Sequence, residues 1–506
     1  MSRAGLLANF LMMAGSGYFE LFTGLFRSIL VMRLLGPTGN GLVGVVRLLQ
    51  QYLSNSHLGV LHGVTKHLPR ALGNHSDEAA EALEDVGATW IILTAGICAV
   101  GILVAACTFP DLGHQTRWVL AVGALVFLCG QTYELYRTIG RAWQTFRPLV
   151  VASVVFSLAL TAFMILGASA GWALGAVYGW LGASVLAIIA LHLRMRLRVR
   201  LRLDWSVVRS LIVAGIPLAA MAFADTLLLA LDGTLLLRRG ATTFGLYAGI
   251  AMQTRRYLFN LARSLTFVLM PHLLEEFARH RSLERLRATA LRAATGASCA
   301  VPCLSLATAI LLPPATQTFV PKFLPAVEAG QIVAFATALM ILPLAFSTVL
   351  VALDAEWYSV AGQLLGAAVI GGLAWGPAGR GDMTGVALAS AAGAWVVSIA
   401  VGSVALAHLG FTLTRVVRTI VGLQVPIALS VVLFWVANSA ADLLTQTHAS
   451  TWPGCAVRLL FATLLALPVL WCADRRYDIA GRSIQALLAM RRTPDTGDET
   501  HADEGL

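Results

Sequence analysis

The chain has 506 residues, of which 58% are hydrophobic and only 12% charged, with a mean hydropathy of +0.77. Soluble proteins run near one-half apolar and about one-quarter charged, so this composition excludes an ordinary globular enzyme and points to a polytopic membrane protein. The net charge of +10 belongs with arginines flanking membrane helices rather than with nucleic acid.

In chain order, apolar runs of spanning length fall near residues 8–34, 41–66, 86–109, 117–137, 148–168, 171–193, 208–236, 242–271, 290–313, 328–352, 357–376, 384–407, 416–438 and 454–473. At about 20 residues per crossing, they predict an all-α protein of about 14 transmembrane helices, the first of them uncleaved. Only Ser169-Ala170-Gly171 separates the fifth run from the sixth. Beyond the last run, residues 477–492 read as an interfacial amphipathic helix, and 493–506 as a disordered acidic tail. The seven cysteines lie in apolar runs, form no CxxC and read as small buried hydrophobes rather than metal ligands or disulfides.

Arginine placement orients these spans. If the N-terminus is cytoplasmic, Arg3, Lys66, Arg70, Arg137, Arg141, Arg147, the run from Arg194 to Arg202, Arg209, the group from Arg279 to Arg292, Arg415, Arg418 and the group from Arg475 to Arg492 all fall inside. The outside set is only Arg33, Arg117, Arg238, Arg239, Lys322 and Arg380. The positive-inside rule therefore predicts both termini in the cytoplasm.

Charges within the spans need a reason. Glu20 and Arg27 stand seven residues apart on one face of the first helix, about 10 Å along its axis, too far for a simple ion pair but suited to a shared wet cavity. Arg47, Gln51 and Ser54, with Asn55 beside them and His62 further on, form a polar face on the second helix. Gln253, Arg256, Asn260 and Arg263 form one on the eighth. Exposing Glu20, Arg27, Arg47, Asp225, Asp232, Arg255, Arg256 and Arg263 to lipid would cost on the order of 20 kcal/mol, so an aqueous interior is favoured. Snorkelling to a headgroup is the alternative, most relevant to Arg255 and Arg263. Glu134 and Asp354 read as solvated residues at cytoplasmic helix ends.

A shift of 204 residues lays Arg33-Leu34-Leu35-Gly36 and Gly41 over Leu237-Arg238-Arg239-Gly240 and Gly245. Asp225 and Asp232 then fall one residue out of register with Glu20 and Arg27. Six helices separate the copies, so they share one orientation about an axis along the membrane normal. The expected organisation is a six-helix bundle over 1–193, a basic cytoplasmic linker over 194–209, a second bundle over 210–410, two extra helices over 411–475, and the amphipathic segment and tail over 476–506.

The run Arg33-Leu34-Leu35-Gly36-Pro37 with Gly39 and Gly41, the later Gly240 with Phe244-Gly245-Leu246-Tyr247, and Pro271 resemble the polysaccharide-transporter branch of the multidrug/oligosaccharidyl-lipid/polysaccharide (MOP) exporter superfamily, and O-unit flippases in particular. The resemblance implies two six-helix bundles in a V and alternating access. It implies translocation of a polyprenyl-pyrophosphate-linked oligosaccharide across the bacterial inner membrane, with the polysaccharide polymerase machinery as a candidate partner. Basic residues on helices 1, 2 and 8 of such proteins match Arg27, Arg47 and Arg255 or Arg256. Glu20 is similar to the first-helix acid of the drug-exporting branch, and the acids Asp225 and Asp232 are a departure from the flippase pattern.

The residues support the same expectation independently. A pyrophosphate carries about two negative charges and needs a cationic escort; arginine's planar fork meets its oxygens bidentately. The expected grip is Arg27, Arg47, Arg255, Arg256 and Arg263, with Gln51, Asn55, Gln253 and Asn260 as lumen polar groups. Glu20, Asp225 and Asp232 are the candidates for H⁺ or Na⁺ coupling; no metal site or other cofactor is expected. The remaining readings are a cation-coupled multidrug exporter of the MATE type, a lipid II flippase, and a membrane glycosyltransferase or polymerase, the last disfavoured by short outer loops. No GxxxxGK[ST] occurs, which argues against ATP drive by this chain.

Overall fold

The two longest helices fold back on themselves. In the computed structural model, which describes residues 3–74, 76–109, 113–195, 200–260, 283–445 and 451–477, α1 runs Arg3–Leu53 and α5 Phe146–Met195. Straight, each would measure about 75 Å, more than twice the hydrocarbon core. α1 turns at Gly36, whose φ of 65° is left-handed and glycine-favouring, just before Pro37. α5 turns at Gly171 and Trp172, where the expected break between the fifth and sixth spans lies. Its halves pack antiparallel, Gly167 against Gly175 and Gly179 against Phe163.

The other elements are α2 Val60–Gly73, α3 Asp77–Thr108, α4 His114–Ala142 and α6 Trp205–Leu236. α7 begins as Ala241–Tyr247, passes through a π turn at Ala248–Met252 and stays helical to residue 260. Then follow α8 Leu283–Phe319, α9 Val327–Ala352, α10 Glu356–Arg380, α11 Met383–His408, α12 Leu413–Thr445 and α13 Trp452–Tyr477. The described residues contain no strand, and ten helices are long and apolar enough to cross a membrane. The helices of the described residues fall where the apolar runs lie, with α1 and α5 each covering two of them. The amphipathic segment and acidic tail lie outside the described residues, as do His75, Arg263 and Pro271.

The second span differs from its expectation. It breaks at 54–59, where Leu58 has φ 51° and Gly59 φ 88°, and resumes as α2. The break lets α2 lie against α6: a Cβ on Gly59 would strike the Gly215 backbone, and one on Gly63 the Leu211 backbone. His62 is thereby taken out of register with Arg47 and Gln51. The cysteines also differ. Cys455 is buried, whereas Cys107 is exposed and Cys98, Cys129, Cys299 and Cys303 are half-buried, because small side chains suit lipid-facing helix surfaces as well as the core.

The linker between the repeat copies is tied down by its backbone. The Arg200 amide donates to Asp85 at 2.8 Å and the Arg202 amide to Thr89 Oγ1 at 3.0 Å, both on α3, and Trp205 meets Trp90 at 5.8 Å. Asp204 caps α6 by accepting from the Ser206 hydroxyl and amide, and these bonds hold its carboxyl below the usual carboxylate range.

Two segments that the sequence aligns at a shift of 204 residues meet in the structure. Thr38 and Thr242, 204 residues apart, bond hydroxyl to hydroxyl at 2.8 Å. Gly41 packs on the Ala241 carbonyl and Gly245 on the Pro37 carbonyl, one contact seen from each copy, with no room for a Cβ at either glycine. Asn40 Nδ2 donates to the Gly245 carbonyl at 2.9 Å. One apolar cluster, around Val46, Leu160 and Val177, joins α1, α4 and α5; another, around Ile341, Ile370 and Val397, joins α9, α10 and α11. In a background lacking the native cysteines, Thr38→Cys with Thr242→Cys is expected to cross-link on mild oxidation. Adding Gly41→Leu is expected to abolish the cross-link, as read by gel mobility, because a leucine cannot fit against the facing carbonyl.

Candidate functional site

Between the two copies α1, α4, α5, α6 and α7 enclose a cavity of about 690 Å³, within the range of roughly 300–1,000 Å³ typical of small-ligand sites. Among the described residues five arginines line it, Arg27, Arg47, Arg137, Arg255 and Arg256, against two acids, Glu20 and Glu134. Gln51, Gln253 and Asn260 also face it.

The stretch of α1 from Glu20 to Arg27 is held against α5 by hydroxyls. Ser153 Oγ donates to Glu20 Oε2 at 3.3 Å, Thr23 bonds Ser157, and Arg27 Nη1 donates to Thr161 Oγ1 at 3.4 Å. These contacts recur every three to four residues on both helices, the spacing of one helical face. Arg47 and Arg256 face the same space from the second half of α1 and from α7. Neither has a carboxylate partner among the described residues, and their charges repel each other and Arg27. Gln253 Nε2 donates to Ser28 Oγ at 3.2 Å, and Ser28 in turn bonds the Tyr257 hydroxyl at 3.1 Å, linking α7 to α1.

Arg255, next to Arg256 in sequence, is committed elsewhere. Its guanidinium forms a bidentate pair with Asp232 on α6, with Nη1 to Oδ1 at 3.2 Å and Nη2 to Oδ2, and Nη1 also donates to the Leu229 carbonyl at 2.6 Å. Asp232, with no exposed surface, also accepts from the Tyr247 hydroxyl at 2.7 Å, Ser390 Oγ at 2.5 Å and the Gly233 amide at 2.7 Å. This network closes α6, α7 and α11 together. Asp225 accepts from Gln363 Nε2 on α10 at 2.6 Å and is not part of the cavity wall, nor is Asn55, whose Nδ2 turns to Ser54 Oγ at 3.4 Å.

Sequence reasoning missed α4. Glu134, read as a solvated helix-end residue, lines the cavity and binds Arg137 at 2.7 Å and Arg141 at 3.6 Å. It stays there because α4 turns its polar face inward. The signal was present: Phe127, Gly130, Glu134 and Arg137 recur at i, i+3, i+7 and i+10, the same spacing as the polar face of α7.

The family described as Polysaccharide biosynthesis protein matches residues 30–320. No curated protein matches the chain in sequence. Among solved structures, lipid II flippase MurJ in an inward closed conformation is similar with a TM-score of 0.69 at 11% identity, covering 91% of this chain and 98% of that one. An inward-facing multidrug resistance MATE family transporter of the MOP superfamily is similar with a TM-score of 0.59 at 14% identity, covering 79% and 94%. A MOP superfamily transporter from Pyrococcus furiosus gives a TM-score of 0.56 at 15% identity, over the same shares. The structural likenesses show the fold, and with more than half of its length matched, the chain belongs to the polysaccharide biosynthesis protein family and carries the fold of the MOP superfamily transporters.

Proposed function

We propose that the protein is a flippase that carries a polyprenyl-pyrophosphate-linked oligosaccharide across the bacterial inner membrane by alternating access, and that it performs no covalent chemistry. The observation that carries this reading is the group Arg27, Arg47 and Arg256: three guanidiniums turned toward one cavity, two of them without a carboxylate partner among the described residues. Like charges gathered at membrane depth are costly unless an anion joins them, and a pyrophosphate fits with charge-assisted, bidentate hydrogen bonds. An exporter of lipophilic cations would gain from unpaired acids here. Of the acids proposed for ion coupling, Asp232 is neutralised by Arg255.

In this reading the two repeat copies act as six-helix lobes that rock about the seam at Thr38 and Thr242, and both termini face the cytoplasm, as the arginine asymmetry favours. Glu20 is the coupling acid. It lines the cavity, accepts from Ser153 Oγ at 3.3 Å and lies within electrostatic reach of Arg27 and Arg137.

The reading is tested in proteoliposomes loaded with a polyprenyl-pyrophosphate-linked oligosaccharide, with and without an imposed proton or Na⁺ gradient. Wild type is expected to flip the lipid faster with the gradient, and Glu20→Gln to flip slowly and ignore it. Glu20→Gln responding as wild type does would end the coupling role. Absence of flipping by wild type, together with drug sensitivity in a deletion strain, would replace the flippase reading with a multidrug exporter.

A further inference from the structure

The charges of the cavity fall into two groups. Arg27, Arg47 and Arg256 act on one another. Arg137 and Arg141 act on each other, on Tyr133 and on Glu134, nearer the Ala142 end of α4. Glu20 is within electrostatic reach of both Arg27 and Arg137. Glu20 and Arg27 are seven residues apart on α1, about 10 Å along its axis, and Glu20 is the acid that acts on a guanidinium of each group. The α4 guanidiniums are paired with Glu134, whereas Arg47 and Arg256 have no carboxylate partner among the described residues, so the two groups differ in what holds them.

Glu134 occupies the α4 group as an oxyanion would. One of its oxygens accepts from Arg137 at 2.7 Å, and the other lies 3.6 Å from Arg141. The Arg137 guanidinium also lies over the Tyr133 ring, 5.6 Å from its centroid, which fixes the guanidinium near the cavity wall. Arg137 is 33% and Glu134 41% exposed. An ion pair open to solvent to that degree is weak and exchangeable, in contrast to the sealed pair of Asp232 and Arg255.

We propose that Arg137 and Arg141 form a second oxyanion subsite at the inner mouth of the cavity, held by Glu134 while the cavity is empty and yielded to a phosphate or carboxylate group of the substrate. The proposal rests on the flippase reading above. Glu134 is then a built-in competitor: the arriving anion displaces its carboxylate from the two guanidiniums, and the displaced carboxylate, 41% exposed, is left to water.

The test is calorimetric titration of the full-length protein in nanodiscs with inorganic pyrophosphate and, separately, with glucuronate. Wild type, Glu134→Gln, Arg137→Gln and Arg47→Ala are compared after each is shown to be monodisperse. Glu134→Gln keeps the shape and removes the competing charge, and is expected to tighten anion binding about two- to fivefold. Arg137→Gln is expected to weaken it about tenfold. Opposite signs are the signature. A pair that merely stabilises α4 would move both variants in one direction or neither, and that result overturns the proposal. A response confined to glucuronate supports the subsite and assigns its ligand to an acidic sugar, whereas a response to pyrophosphate assigns it to the lipid linker. If Arg47→Ala leaves pyrophosphate binding intact while the α4 variants shift it in opposite directions, the subsite stands and the Arg27, Arg47 and Arg256 grip falls. If Arg47→Ala abolishes binding and the α4 variants change nothing, the grip stands and the subsite falls.

Discussion

Alanine at Arg47 or at Arg256 is expected to abolish export while leaving folded protein in the membrane. Both side chains face the cavity, and neither has a carboxylate partner among the described residues, so truncation breaks no ion pair there and leaves no buried acid unpaired. The cost falls on the substrate instead. A charge-assisted hydrogen bond to a phosphate oxygen is worth about 1.5–3 kcal/mol, which is on the order of ten- to a hundredfold in affinity for each arginine. Removing a guanidinium also relieves its repulsion of the other two, so the empty variant gains slightly in stability while the loaded one loses its grip. Lysine at either position restores the charge without the bidentate geometry and is expected to rescue only part of the activity. The measurement is polysaccharide output in a deletion strain, alongside membrane abundance of each variant. Full output from both alanine variants would refute the cationic-cavity mechanism.

The second large effect is on stability and comes from the pair of Asp232 and Arg255. Arg255→Leu leaves a carboxylate with no exposed surface facing only Tyr247, Ser390 and the Gly233 amide. Breaking one side of a buried pair costs about 3–5 kcal/mol, because the remaining charge has neither water nor partner. Low abundance and a markedly lower melting temperature in detergent are expected for Arg255→Leu and for Asp232→Ala alike. The double variant Asp232→Leu with Arg255→Leu removes both charges and is expected to regain most of the loss, short of the share left by the orphaned Tyr247 and Ser390 hydroxyls. Its transport separates two roles for Arg255. Restored stability with restored export makes the residue a structural clasp, whereas restored stability without export returns it to the substrate grip.

Adjacent residues in α7 show how far a sequence reading reaches. The periodicity of Gln253, Arg256 and Asn260 groups three residues that line one cavity, since a helical face is a property of spacing alone. The same periodicity could not tell Arg255 from Arg256 as ligand-facing groups. They differ by about 100° around the helix, and which of them meets a carboxylate depends on where α6 and α11 lie. The π turn at Ala248–Met252, just before them, further shifts the rotation of the helix in a way that no spacing rule anticipates. Glu134 illustrates the converse. Its position near a helix end points to solvent, and at 41% exposed it keeps that access, but the packing of α4 beside α1 and α5 also makes it part of the cavity wall.

By itself the sequence determined the class of the molecule, the order of its apolar helices, and the 204-residue alignment of the two segments that meet at Thr38 and Thr242. These are one-dimensional properties: run length against bilayer thickness, and glycines wherever a turn or a close backbone approach excludes a Cβ. Only the tertiary structure decided which charges are spent and which are available. Asp232 and Arg255 cancel in a sealed site, Glu134 holds Arg137 and Arg141 in an open one, and Arg47 and Arg256 face the cavity without a carboxylate partner among the described residues. That division depends on a few ångströms of side-chain approach between helices distant in sequence, because the energy of a charge at membrane depth is set by its nearest partners and its access to water.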